Sequence, residues 1–295
     1  MISCAVTTSV LGCLVTTYLF FRYTWCLDFS VLQKSAVYAL FLLAGCIPLL
    51  VSYQMENYLG KHYLFYRYGL YAIFIGCIIL FTLTLLADTA LLAISHSPLA
   101  QHFKHFCCYI NPALITAAIL CSILALYAGV KVPDVKEVVI YSDKITEEKT
   151  IVLLSDIHIH RAISPAKVKA ITDKSNAVSP DIILLDGDII DDDVDKVSDI
   201  TALLKGLKAK QGIWFVTGNH EFYAGYKETA DELQKMGFGF LENNGVSLGE
   251  IYLAGIPDLF SGKNYGKNAD LSQAFAQAED NQFRLLMSHT PVDFG

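Results

Sequence analysis

Residues 1–130 have very little charge, with five Lys/Arg (Arg22, Lys34, Lys61, Arg67, Lys104) and three acids (Asp28, Glu56, Asp88). Residues 131–295 lack cysteine, because all eight cysteines (4, 13, 26, 46, 77, 107, 108 and 121) lie in the first half. There is no CxxC pair and no disulfide framework to read, so any metal in the second half must be held without thiolate. A cysteine in an apolar helix usually acts as a small hydrophobe. The second half carries the remaining 17 Lys/Arg against 26 Asp/Glu, with no basic cluster. That balance argues against a nucleic acid as partner, since phosphate-backbone binding relies on clustered Lys/Arg. A small or lipid-borne phosphate, held by a local cationic site, stays compatible with it.

The first half instead holds long uncharged runs: Met1–Phe21, Ser35–Met55, Tyr68–Ala87 and Pro112–Val130. Each reaches about the 20 residues that a helix needs to cross the hydrocarbon core of a bilayer. Charges flank the runs, and Tyr18, Tyr23, Trp25, Tyr53, Tyr66 and Tyr68 crowd their ends as an interfacial belt does. The runs show no polar face, unlike helices of a soluble bundle. Four spans are therefore expected over residues 1–130, uncleaved and embedded in a lipid bilayer. Lys61, Arg67, Lys131 and Lys136 would share one side and Arg22, Lys34 and Lys104 the other, a slight bias toward a cytoplasmic second half of a cell (inner) membrane protein. Asp88, at the end of the third run, is expected at the interface, although an ionisable residue inside a span is by default a site hypothesis. His96, His102 and His105 read as a polar loop.

Residues 131–149 read as a linker and edge hairpin with a strand over Val135–Tyr141, and residues 150–295 as an α/β domain. Apolar runs at Thr150–Ser155, Asp181–Leu185, Gly212–Val216 and Phe283–Met287 suit strands buried on both faces. Helices are expected over Pro165–Asn176, with Ser164 before a first-turn proline, and over Val194–Lys208, Tyr226–Met236 and Leu271–Glu279. Short strands follow around Phe238–Leu241, Val246–Leu248 and Ile251–Ala254, with Asn243-Asn244-Gly245 as a hairpin turn. Strand–helix alternation implies a largely parallel sheet covered on both faces. Ligands of such sheets bind beyond the carboxyl ends of the strands.

Those strand ends carry Ser155-Asp156-Ile157-His158, Asp186-Gly187-Asp188-Ile189-Ile190-Asp191, Thr217-Gly218-Asn219-His220-Glu221 and Ser288-His289-Thr290-Pro291. None offers a typical nucleophile–base pair, and all offer oxygen or imidazole donors. Asp156 and His158, two apart, would point to one side of an extended segment and grip one cation. Asp188 follows a glycine that permits a close turn, and its two oxygens suit a bridge between cations. Asn219 and His289 supply an amide oxygen and an imidazole for the second. Such a donor set suits Mn, Fe or Zn, and two adjacent divalent ions can acidify a water and clamp phosphoryl oxygens. Taken singly, each motif is as often a loop, a cap or a turn. Together, at successive strand ends, they make one constellation. His160 reads as an exposed loop residue, Asp192, Asp193 and Asp195 as a solvated helix start, and Glu221 as structural.

In order and placement, Asp156-Ile-His158, Gly187-Asp188-Ile-Ile-Asp191, Gly218-Asn219-His220-Glu221 and Ser288-His289 resemble the successive motifs of the calcineurin-like metallophosphoesterases, and the flanking sequence is closest to their membrane-associated bacterial branch. The resemblance implies an α/β/β/α sandwich with two metals. Asp156 and His158 would bind the first, Asp188 would bridge, and Asn219 and His289 would bind the second. It implies that His220 acts at the leaving-group oxygen and that Asp191 orients it. The family's later Gly-His-x-His motif does not occur before Gly295, so a C-terminally truncated domain is expected. The expected function is hydrolysis of a phosphomonoester or phosphodiester, lipid-linked by inference from placement. The competing reading is a non-catalytic membrane protein that keeps the fold as a binding or assembly module.

Overall fold

The computed structural model describes residues 2–24, 27–52, 63–94 and 103–290. The chain divides into two compact units, Met1–Lys131 and Val132–Gly295.

The first unit is helical: α1 (Ile2–Thr24), α2 (Val31–Gly45), α3 (Ile47–Ser52), α4 (Tyr63–Ile94) and α5 (Phe103–Val130). Among the described residues three helical stretches are long and apolar enough to cross a membrane: Ala5–Thr24, Tyr68–Ala93 and Ile110–Val130. The span expected over Ser35–Met55 is not one of them. Its helix starts at a capping box, in which Ser30 and Gln33 exchange side-chain-to-backbone bonds, and stops at Gly45. A continuous helix would need an N–H at position 48 for the Ala44 carbonyl, and Pro48 has none. Residues 53–55 of that run, and Trp25 and Tyr53 of the expected aromatic belt, lie outside the described residues, as do His96 and His102. His105 falls within α5 rather than in a loop.

Asp88 does not end its helix either, because α4 continues to Ile94. Its carboxylate accepts from Arg22 Nε at 2.8 Å, from Arg22 Nη2 at 2.9 Å and from the Tyr18 hydroxyl at 2.7 Å. A charge within an apolar helix is tolerated when another chain group neutralises it, and here the partner comes from the last turns of α1.

The second unit has two sheets. Strands β1 (Ile151–Leu154), β2 (Ile182–Asp186), β3 (Ile213–Val216) and β4 (Gly239–Phe240) form a parallel sheet in that order. Strands β5 (Asn244–Leu248), β6 (Ile251–Gly255) and β7 (Phe283–Met287) form the other, with β5 antiparallel and β7 parallel to β6. Helices α6 (Pro165–Ala177), α7 (Val194–Thr201, followed by a 3-10 turn), α8 (Asn219–Lys235), α9 (Leu259–Asn264) and α10 (Leu271–Ala274) complete it. Strand β2 alternates its side chains between two cores. Ile183 and Leu185 pack with Val168, Val197 and Leu233 of the helices. Ile182 and Leu184 face Leu253 and Met287 of the second sheet. The far side of that sheet, with Tyr252 and Ala254, is covered by Ala274 and Leu271. The layers are therefore helix, sheet, sheet, helix.

The helix expected over Leu271–Glu279 stops at Ala274, and the one expected over Val194–Lys208 stops at Thr201 and continues only as a 3-10 turn to Gly206. Three further expectations fail locally. Residues 135–141 form no strand, and Val138, Val139 and Ile140 are exposed. Asn243 adopts a left-handed φ of 55° but leads into β5, its side-chain amide donating to the Asn268 carbonyl and accepting from the Asp270 N–H. The reversal between β5 and β6 falls instead at Gly249, whose φ of 74° suits glycine. Helix α8 begins at Asn219, seven residues earlier than its apolar periodicity indicates, and bends at Gly225, where φ is 120°.

Candidate metal centre

The strand ends β1, β2, β3 and β7 open onto one place. Beyond β1 the chain runs beside the loop beyond β2, joined by backbone bonds from Asp156 N–H to the Gly187 carbonyl (3.2 Å), from His158 N–H to the Asp188 carbonyl (2.9 Å) and from Ile159 N–H to the Ile189 carbonyl (2.8 Å). The Asp156–His158 segment is not extended. Asp156 and His158 have φ of 57° and 49°, and Asp188 has φ of 54°. Left-handed backbone at a non-glycine residue costs on the order of 1–3 kcal/mol and gathers at functional sites. Both side chains still reach the centre, by turning rather than by alternating.

Asp188 is the hub, at 3 % exposure. Its Oδ2 lies 3.3 Å from His289 Nε2, 3.7 Å from His158 Nε2 and 3.9 Å from His220 Nε2. His158 Nε2 lies 3.6 Å from Asp156 Oδ1. Donors bound to one ion at about 2.1 Å sit roughly 3.0–4.2 Å apart, so these spacings fit shared cations. Among the described residues, two donor groups are close enough to hold an ion: His158, Asp188 and His220, and Asp156, Asp188 and His289. Asp188 belongs to both. This partition crosses the expected one, which paired Asp156 with His158 and left His220 outside the ligand set. Asn219 opens α8 immediately beside His220.

Surrounding groups hold these donors. Gly218 lets the β3 loop touch Asp188, since a Cβ there would lie 2.6 Å from the Asp188 nitrogen and 2.8 Å from His289 Cδ2. The His220 backbone N–H donates to Asp188 Oδ1 at 2.8 Å. His220 Nδ1 meets Asp191 Oδ1 at 2.5 Å, leaving Nε2 toward the centre. His289 Nδ1 donates to the Asp186 carbonyl at 2.8 Å, which leaves its Nε2 as an acceptor for a cation. Ser155 donates to both Asp156 and the Asp186 carbonyl.

Glu221 does more than its position in the motif suggests. Its buried carboxylate accepts from the N–H groups of Gly218 (2.8 Å), Asp188 (2.9 Å), Ile189 (2.7 Å) and Ile190 (2.9 Å). Burial pushes its carboxyl up, against the pull of those donors. One side chain thus ties the β3 loop to the β2 loop around the hub. Its signal in the sequence is its place three residues after Gly218, where a first-turn Glu can reach back to an N-cap.

The electrostatics are those of a site arranged for cations. The bond to Asp188 raises His289 to about 9, and the bond to Asp191 raises His158. Burial pushes Asp188 up, but the His289 and His220 bonds outweigh it and the net shift is downward. Asp186, unassigned from the sequence, is pushed up to about 6 by burial, and its Oδ1 is buried without a partner. Carboxylates and imidazoles without thiolate, with an orphaned carboxylate oxygen beside them, fit a hard or borderline divalent ion. Among the other residues, Asp192 is not solvated but pairs with Arg161 at 2.8 Å, Asp193 caps α7, and His160 accepts from the Ala162 N–H.

Comparison with known proteins agrees with this geometry. The calcineurin-like phosphoesterase family profile matches residues 149–295. An uncharacterized metallophosphoesterase of Helicobacter pylori is 32 % identical over 165 residues, 56 % of this chain and 45 % of that protein. One from Campylobacter jejuni is 30 % identical over 179 residues, 59 % of this chain and 48 % of its own. A Danio rerio transmembrane protein with metallophosphoesterase domain is 30 % identical over 193 residues, covering 60 % and 44 %. The chain thus spans less than half the length of these relatives. The second unit belongs to the calcineurin-like metallophosphoesterases, a family that uses divalent metals.

Proposed function

We propose that the chain is a membrane-anchored phosphoesterase that hydrolyses a phosphomonoester or phosphodiester with two divalent ions, drawn from Mn, Fe or Zn. Asp156 and His158 would hold one, Asn219 and His289 the other, and Asp188 would bridge them. The observation that carries this reading is the buried Asp188 carboxylate, shared by both donor groups and ringed by three imidazoles at 3.3–3.9 Å. Ions held there supply positive charge to phosphoryl oxygens and acidify a water. The chain's own groups do the rest. Asp191 accepts from the His220 Nδ1–H and orients the ring with Nε2 toward the centre, so that the protonated imidazolium would donate its Nε2–H to a departing ester oxygen. Glu221 keeps the Asp188 loop from shifting under the charge.

The apolar helices and the transmembrane naming of the Danio rerio relative support a membrane protein. A lipid-linked phosphoester is the substrate we favour on placement alone, and the slight Lys/Arg bias favours the second unit on the cytoplasmic side of the cell (inner) membrane. The test is hydrolysis of aryl phosphate mono- and diesters by the chain in lipid, with and without Mn. Metal-stimulated turnover is expected. Asp188→Asn should abolish it, and His220→Asn should lower it on the order of 10²–10⁴-fold at unchanged metal content. Turnover that ignores metal, or that survives Asp188→Asn, would overturn the proposal.

A further inference from the structure

Helices α1 and α2 cross at two glycines. A Cβ on Gly12 would lie 2.5 Å from the Gly45 carbonyl oxygen, and one on Gly45 would lie 2.6 Å from the Cys13 nitrogen. Backbones can approach this closely only where side chains are absent. The residue after each glycine is a cysteine, so the crossing presents Cys13 and Cys46 to one another with their Sγ atoms 3.5 Å apart. Composition gave no reason to pair them, since 32 residues separate them in the chain.

The crossing is fixed from both ends. Toward the N-terminus of α1, Ser9 Oγ accepts from the Leu49 N–H at 3.0 Å. Toward its C-terminus, Thr17 and Tyr38 hydroxyls meet at 3.2 Å. The Cys13 thiol also points at the Leu42 carbonyl. Neither cysteine is fully buried, so each keeps a face toward the surroundings of the helices. A disulfide needs the sulfurs at about 2.05 Å, which asks for a closure of about 1.5 Å that side-chain rotation and a small shift can supply.

We propose that Cys13 and Cys46 are a reversible dithiol–disulfide pair that staples α1 to α2, oxidised by a lipid-soluble quinone. Two S–H bonds break and one S–S bond forms. The two electrons and two protons pass to the quinone, which leaves as the quinol. A quinone is the acceptor that fits the place, because Cys13 lies within a helix long and apolar enough to cross a membrane and Cys46 packs against it. Aqueous disulfide oxidants would have to leave water to reach it. A membrane-permeant dithiol returns the pair to its thiols and is itself oxidised to a disulfide.

The experiment uses the full chain in lipid vesicles, treated with a fully ring-substituted short-chain quinone or with diamide, then alkylated and mapped by mass spectrometry. The expected product of both reagents is one intramolecular Cys13–Cys46 linkage, reversed by dithiol. It should be lost in Cys13→Ser and in Cys46→Ser and kept in Cys77→Ser and Cys121→Ser. Alkylatable Cys13 and Cys46 after both treatments would overturn the pairing, as would linkage of either one to Cys77, to Cys121 or to a second chain. Linkage with diamide but not with quinone would overturn the assigned acceptor.

Discussion

Glu221 and His289 show how single side chains set this site. Glu221 gathers four backbone N–H groups, three of them from the segment carrying Asp188. Glu221→Gln turns an NH2 group toward those donors. The expected result is a stability loss of about 1–3 kcal/mol in denaturant melts, with metal affinity lowered about 10–100-fold. A variant with unchanged metal affinity would show that the clamp does not position the hub. His289 gives the pH dependence. Its pKa is raised to about 9 by the Asp188 carboxylate, so in the metal-free chain it carries a proton at neutral pH. A cation must displace that proton, because only the neutral imidazole binds metal. Apparent affinity should therefore rise with pH, by up to about tenfold per unit, and level off near pH 9. Metal-buffered titrations across that range check it, and an affinity that falls or stays flat below 9 would contradict it.

At the scale of elements, the buried strands and the helix starts at Pro165, Val194 and Leu271 are legible in the sequence, and the start of α8 is not. Four apolar runs announced β1, β2, β3 and β7, because a strand buried on both faces admits no polar residue. The donors after them could then be placed without knowing how the loops turn. The left-handed turns at Asp156 and His158 were not legible, since neither residue is a glycine. Helix α8 was dated from its apolar stripe, yet its first turn is the polar Asn219-His220-Glu221 run that faces the site. The stretch 135–141 alternates as a strand should but pairs with no described strand, which shows that β character comes from a partner as much as from sequence. In the first unit, the pairing of Asp88 with Arg22 needed two helices in register and could not be read from one. That pair joins α1 to α4. Asp88→Ala should lower the resistance of the first unit to denaturing detergent by about 0.6–2 kcal/mol. Exchanging the two charges, Arg22→Asp with Asp88→Arg, should recover part of the loss. No loss in the single variant would mean that the pair contributes nothing to the packing.

For the whole molecule, the chain divides into a unit of charge-poor helices and an acid-rich α/β unit. The second unit concentrates its chemistry on one carboxylate. Asp188 sits at the end of a buried strand, carried by Gly187 and contacted by Gly218, with imidazoles from three separate segments around it. If that gathering exists to hold a metal pair, the ions must share Asp188. The most direct measurement is electron paramagnetic resonance of the full chain loaded with Mn²⁺ and freed of excess ion. Two ions per chain, about 3.5–4 Å apart and exchange-coupled, are expected, with the coupling lost in Asp188→Asn. A spectrum of isolated Mn²⁺ alone, or one unchanged by Asp188→Asn, would contradict the account.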